Sequence, residues 1–208
     1  MHRHRSLRRA WFARVAAVAV AVTLLALNAS GAAAVTKTVS IPNWTFSPKT
    51  ITIARGVTIR WRNTDSQSHD VKSKPLDGYF QSPGGTGGID AGDQWSRTFT
   101  SAGKFDYVCR KHELWGQRAS VTVKLGVTLL SDPDRFRVAP GSRALTGSWR
   151  HEVQAQTPLT GWTTIATTTA ATVFLPATEQ GDYAFRARVK NTSTGQTSGW
   201  SPIVERYY

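Results

Sequence analysis

Cys109 is the only cysteine in the 208 residues, and His112 follows it in Tyr107-Val108-Cys109-Arg110-Lys111-His112. A single cysteine excludes an internal disulfide, and a lone thiol in an oxidising compartment is a liability unless something occupies it. Three uses compete: a buried inert thiol, an intermolecular disulfide, or a metal ligand. Cys-x-x-His on a loop lets a thiolate and an imidazole reach one ion, and that donor pair suits copper or zinc. Two donors leave such a site incomplete. Beyond residue 34 the other histidines are His69 and His151. His69, in Asn63-Thr64-Asp65-Ser66-Gln67-Ser68-His69-Asp70-Val71, follows a strand-like stretch and is the third candidate. His151 has no convergent donors around it in sequence and is read as structural.

These residues need a scaffold that brings position 69 to position 109. The chain supplies short alternating segments: Thr36–Ile41 (TKTVSI), 50–54 (TITIA), 57–62 (VTIRWR), 94–100 (QWSRTFT), 104–109 (KFDYVC) and 119–124 (ASVTVK). In 57–62, Val57, Ile59 and Trp61 share one face. Turn residues separate the segments, and no helix-period stretch with caps occurs after residue 34. Many short strands with turns between them predict an all-β sandwich or Greek-key barrel.

Residues 35–124 resemble the cupredoxins, the plastocyanin, amicyanin and stellacyanin class of small copper proteins. The resemblance rests on IPNWTFSPKTITIARGVTIRWRN, the SHDV segment, GKFDYVCRKH and the closing ASVTV strand. It implies a Greek-key β-sandwich with one mononuclear type 1 copper held by His69, Cys109 and His112. The axial position departs from the family's usual Met. The residue three after His112 is Trp115, the residue five after it is Gln117, and the only Met is Met1. Gln is an axial substitute in stellacyanin-like sites. The resemblance therefore implies either a weak axial bond from the Gln117 amide oxygen or a three-coordinate copper. Asp70, next to His69, is a candidate for tying the ligand loops together, with plain solvation as the alternative.

The formal charge is +13, but part of it lies in MHRHRSLRRAWFAR at the N-terminus. An apolar run of 13 residues, 15–27, and the small-residue stretch NASGAAA follow. That is the layout of a secretory signal peptide over 1–34, with an uncleaved anchor as the alternative. The Arg8-Arg9 pair leaves both the general secretory and the twin-arginine route open. Without the five Arg of 1–34, the remaining 21 basic and 13 acidic residues leave +8. Nucleic-acid binding would call for clustered Lys/Arg on a recognisable module, and neither occurs. No second apolar stretch is long enough for a membrane span.

After Lys124 the composition changes. Segments 126–130, 147–156, 161–168 and 183–191 read as strands, and Trp149, Trp162 and Trp200 are expected as core anchors. Gly181-Asp182-Tyr183-Ala184-Phe185-Arg186-Ala187-Arg188-Val189, with Ser198-Gly199-Trp200-Ser201-Pro202, resembles a fibronectin type III module. The resemblance covers about residues 128–208 and implies a second, immunoglobulin-like sandwich for spacing or for protein or glycan contact.

The expectation is an exported, non-enzymatic single-electron carrier. Glu113 is read as a solvated loop carboxylate, so no acid–base pair or second metal cluster is foreseen. Arg110, Lys111 and Arg118, with Leu114 and Trp115, would dock an acidic redox partner, or simply form a solvated basic loop. Copper sequestration or delivery, and a partner-binding module without redox turnover, are the alternatives.

Overall fold

The computed structural model describes residues 35–83 and 88–208. The expected signal peptide over 1–34 lies outside the described residues. Alternation of large apolar and polar side chains decides the strands of the first half. These are β1 (Thr36–Ile41), β2 (Thr50–Ile53), β3 (Thr58–Asn63), β4 (Lys72–Ser73), β5 (Gln94–Thr98), β6 (Gly103–Val108) and β7 (Arg118–Val123). They form two sheets, β1-β3-β5 and β2-β7-β6-β4, with β1–β3 and β2–β7 parallel and the other pairs antiparallel. Val39 and Ile41, Ile59 and Trp61, Phe105 and Tyr107, and Val121 and Val123 turn inward, while Arg60 and Arg62 face solvent. This is the period-2 pattern of sheets buried on one face.

Trp61 sits at the centre of the first core, with ring centroids of Trp95, Tyr107, Phe80 and Phe99 at 5.0, 5.5, 6.3 and 6.3 Å. Removing so large a buried ring costs about 3–5 kcal/mol in cores of this kind. The same strands aim the loops at one end. The antiparallel β6–β7 pair opens into the 109–117 loop, and the two-residue β4, which the sequence did not suggest, pairs Lys72 with Val108.

The second half holds β8 (Gly126–Ser131), β9 (Asp134–Ala139), β10 (Trp149–Thr157), β11 (Thr160–Thr168), β12 (Val173–Pro176), β13 (Asp182–Asn191) and β14 (Val204–Tyr207). Their sheets are β12-β9-β8 and β11-β10-β13-β14. The core is built on Phe136, Tyr183 and Phe185, with Val127, Val138, Val153 and Ala155. β12 and β14 escaped the sequence reading because they have only four residues each, and β9 because Arg135 and Arg137 interrupt its apolar residues.

The expectation for the three tryptophans is corrected. Trp149 packs edge-on against Tyr79 at 5.2 Å and belongs with the first core. Trp162 and Trp200 flank the Arg186 guanidinium at 4.2 and 4.5 Å, and Arg188 also lies over Trp200 at 4.2 Å. On β13, Tyr183, Phe185, Ala187 and Val189 point inward, so Arg186 and Arg188 must point out, where indole faces cover them.

The described residues form one compact unit, and contacts cross between the halves. His151, fully buried, has Nε2 3.0 Å from the Ser101 hydroxyl and Nδ1 2.9 Å from the Ala170 carbonyl. Lys104 pairs with Gly199 through two backbone hydrogen bonds of 2.9 and 2.8 Å. Val189 joins the first core and Ala102 the second.

Candidate metal centre

The sheets bring His69, Cys109, His112 and Gln117 to one point. His69 lies in the loop after β3, held by paired backbone bonds with Ile89 of 3.1 and 2.7 Å. Asn63, at the end of β3, donates from its amide to the Gln67 and Ile89 carbonyls and so shapes that loop. The 109–117 loop closes on itself. The Cys109 N–H donates to the Gln117 carbonyl at 3.1 Å, and the Gln117 N–H to the His112 carbonyl at 3.2 Å. Between them, Glu113–Trp115 makes a single 3-10 turn that ends at Gly116 with φ 81°. A left-handed residue there turns the chain back so that Gln117 points inward, and glycine does this without a Cβ penalty.

The resulting cluster is tight. The two imidazole Nδ1 atoms are 3.1 Å apart. Cys109 Sγ lies 3.5 Å from His112 Nδ1 and 3.9 Å from His69 Nδ1. Gln117 Oε1 is 3.0 Å from both Nδ1 atoms. His69 and Cys109 are fully buried, Gln117 is 1% exposed and His112 is 8% exposed, so only an edge of the His112 ring reaches the surface.

The donor set fits a soft cation. His69 Nε2 is 3.0 Å from the Asp65 carboxylate, which holds the ring proton on Nε2 and leaves Nδ1 as a lone pair. The Gln117 amide oxygen can only accept. Lone pairs from His69 and Gln117 therefore face the sulfur and the second imidazole across a buried space. The protein's own protons satisfy that arrangement only in part, and a metal ion relieves it. Burial pushes the Cys109 thiol up, against the Asp70 N–H that donates to Sγ at 3.4 Å. A thiolate here needs a cation beside it. Burial, then the neighbouring His69 imidazole, hold His112 below the usual imidazole range, which keeps it neutral and ready to ligate.

Around the four donors sits a supporting ring. Burial works against ionisation of Asp65, but hydrogen bonds from His69 and from the Ser66 and Trp44 N–H groups outweigh it, and the carboxyl lies below its ordinary value. Asp70 accepts from the Arg110 N–H at 2.7 Å and from Arg110 Nε at 2.6 Å, which ties the two ligand loops together. Trp44 stacks on His112, and Trp115 lies against both rings, at 5.2 Å from Trp44 and 5.5 Å from His112. Trp115 therefore sits outside the cluster, and Gln117 sits inside it. The sequence reading missed Asp65 and Trp44. Asp65 was legible in principle, four residues before His69. Trp44 was not, because its contact is with a residue 68 positions further along the chain. His151 lies apart, in the contact between the halves.

Residues 33–124 match the family of copper binding proteins described as plastocyanin/azurin. No curated protein matches the chain. Among solved structures, a purple cupredoxin from Nitrosopumilus maritimus is 27% identical, covering 42% of this chain and 98% of its own, with a TM-score of 0.38. An amicyanin variant in the Cu(I) form is 27% identical over 43% of this chain and 82% of that one, at 0.38. A Cu-containing nitrite reductase from Thermus scotoductus SA-01 is 25% identical over 43% of this chain and 22% of its own, at 0.37. The stretch that holds His69, Cys109, His112 and Gln117 is thus the part of the chain that matches the plastocyanin/azurin family of copper binding proteins.

Proposed function

We propose that the protein is an exported carrier of single electrons that binds one copper as a mononuclear type 1 site. His69, Cys109 and His112 would be the strong ligands and Gln117 a weak axial one. The observation that carries this reading is the convergence of two Nδ1 atoms, one sulfur and one amide oxygen in a buried space. Copper there would cycle between Cu(I) and Cu(II), and a His₂Cys trigonal set is a compromise between the preferences of the two states. The chain's part is to keep those donors from moving. Asp65 orients His69, Trp44 lies on His112, and Asp70 with Arg110 locks the loops. Such fixation keeps reorganisation small, because the ligands need not rearrange when the charge changes.

Carriage rather than enzymatic turnover is favoured by burial. With four donors converging, no position is left open for a substrate, and Glu113 is engaged by Lys74 at the surface. Burial of His69 and Cys109 also argues against rapid metal delivery. An acidic redox partner would dock where Leu114, 98% exposed, Trp115 and Trp44 surround the His112 edge, beside Arg110, Lys111 and Arg118. Export rests on the leader-like sequence of 1–34. Among the described residues, no helix is long and apolar enough to cross a membrane. The second half is read as a fibronectin type III-like spacer. Supporting this is the Tyr183 hydroxyl, which donates to the Glu179 carbonyl at 3.0 Å in the manner of a tyrosine corner.

The deciding experiment is the visible spectrum of the protein after Cu(II) addition. Intense thiolate-to-copper colour at one equivalent is expected, and it should vanish in Cys109→Ala. A colourless Cu(II) complex would overturn the proposal.

A further inference from the structure

Away from the metal cluster, a cleft of about 390 Å³ opens where the two halves meet. Tyr79, Arg97 and Thr100 line it from the first half, and Arg143, Leu145 and Trp149 from the second. None of its lining residues is Asp or Glu. The Arg97 guanidinium carbon lies 5.1 Å from the Tyr79 ring centroid and 5.3 Å from that of Phe80. Those rings attract the positive charge through their faces, and the Tyr79 hydroxyl accepts a hydrogen bond from the guanidinium. Arg97 Nε is nonetheless buried with no hydrogen-bond partner.

The second cation makes matters worse for Arg97. Burial most of all disfavours its charged form, Tyr79 favours it, and the like charge of Arg143 disfavours it again. Among the described residues, neither arginine makes an ion pair with a carboxylate. Two guanidiniums thus share a partly desolvated cleft with no anion. A guanidinium matches an oxyanion with charge-assisted N–H···O bonds, so an oxyanion in the cleft supplies the missing counter-charge. The lining also includes apolar side chains. Trp149 meets Tyr79 edge-on at 5.2 Å, and Leu145 lies beside them. The volume falls at the small end of ligand pockets, which run from about 300 to 1,000 Å³.

We infer that this cleft binds a small organic carboxylate, its oxygens between Arg97 and Arg143 and its apolar body against Trp149 and Leu145. Because the walls come from both halves, the bound carboxylate also fastens them together.

Benzoate is the probe, titrated calorimetrically into the full-length protein, with phosphate and chloride at matched ionic strength as comparators. Saturable one-to-one benzoate binding is expected, with a rise in the thermal midpoint. Arg143→Gln, at an exposed position, should fold normally and weaken binding about tenfold or more, since it removes a charge-assisted pair. Arg97→Lys keeps the charge but loses the fork, and should weaken it as well. The copper spectrum should not change on benzoate addition. Absence of saturable binding, binding untouched in Arg143→Gln, or phosphate binding in preference to benzoate would each overturn the inference.

Discussion

The Trp44 indole lies face to face with the His112 imidazole, ring centroids 5.4 Å apart and planes 12° from parallel. The backbone is bent to achieve this. Asn43 and Trp44 both occupy the left-handed region, at φ 44° and 59°, a conformation that costs non-glycine residues about 1 kcal/mol or more each. The Trp44 N–H donates to Asp65 Oδ2 at 3.3 Å, and the same oxygen meets His69 Nε2. One carboxylate thus holds one imidazole directly and the other through the indole it anchors.

Trp44→Ala is expected to free the His112 edge. The stack contributes about 0.5–1.5 kcal/mol beyond area burial, so the metal-free protein should lose about 1 kcal/mol of stability in urea unfolding. Trp44→Phe should recover most of it. Equal stability of the alanine and wild-type proteins would show that the stack holds nothing.

Asp65→Asn leaves the shape and removes the charge behind His69. Loss of such an outer-shell partner typically costs about 10–100-fold in metal affinity. A competition titration with a copper chelator should find a weakening in that range. Unchanged affinity would mean that the Asp65–His69 bond does not orient the ring for ligation.

Gln117→Met should raise the reduction potential. A thioether is softer than an amide oxygen and favours Cu(I). Each tenfold change in relative Cu(I)/Cu(II) affinity appears as about 59 mV for one electron. The colour should persist, because the Cys109 bond is unchanged. Trp115→Met is the control: Trp115 is 66% exposed and outside the cluster, so its replacement should leave the potential in place. A potential that follows position 115 and ignores 117 would overturn the axial assignment.

Acid should weaken the contact between the halves. Burial first, and the Arg55 charge after it, hold the His151 imidazole below its ordinary value, against the hydrogen bond to Ala170. The unfolded chain then binds a proton that the folded chain refuses. Stability therefore falls as the pH drops through the unfolded value near 6.5, until the lower folded value is reached. His112 acts in the same direction in the metal-free protein. His151→Gln should show a smaller stability difference between about pH 7 and about pH 5 than wild type by denaturant titration. An identical difference would show that His151 does not titrate on unfolding.

Residues 35–124 expressed alone should fold and bind copper, with a lower denaturant midpoint than the full chain. Truncation strips Trp149 from Tyr79 and His151 from Ser101. An unfolded segment would mean that the two cores are inseparable.

The amino-acid sequence alone determined the all-β class, most strand positions and the three strong ligand candidates. Period-2 burial leaves its mark directly on residue order, as in Ile59-x-Trp61 and Phe105-x-Tyr107. Cys109, His112 and Gln117 sit on one loop, where spacing along the chain translates into spacing in space. The tertiary structure decided what depends on contacts between distant segments: the placing of Gln117 rather than Trp115 inside the cluster, the left-handed turn that puts Trp44 on His112, and the Asp65 carboxylate behind His69. It also moved Trp149 to the first core and turned Trp162 and Trp200 outward onto Arg186. A tryptophan's size marks it as a packing residue in any sequence, but which surface it covers is fixed only when the sheets meet and their outward-facing arginines need covering.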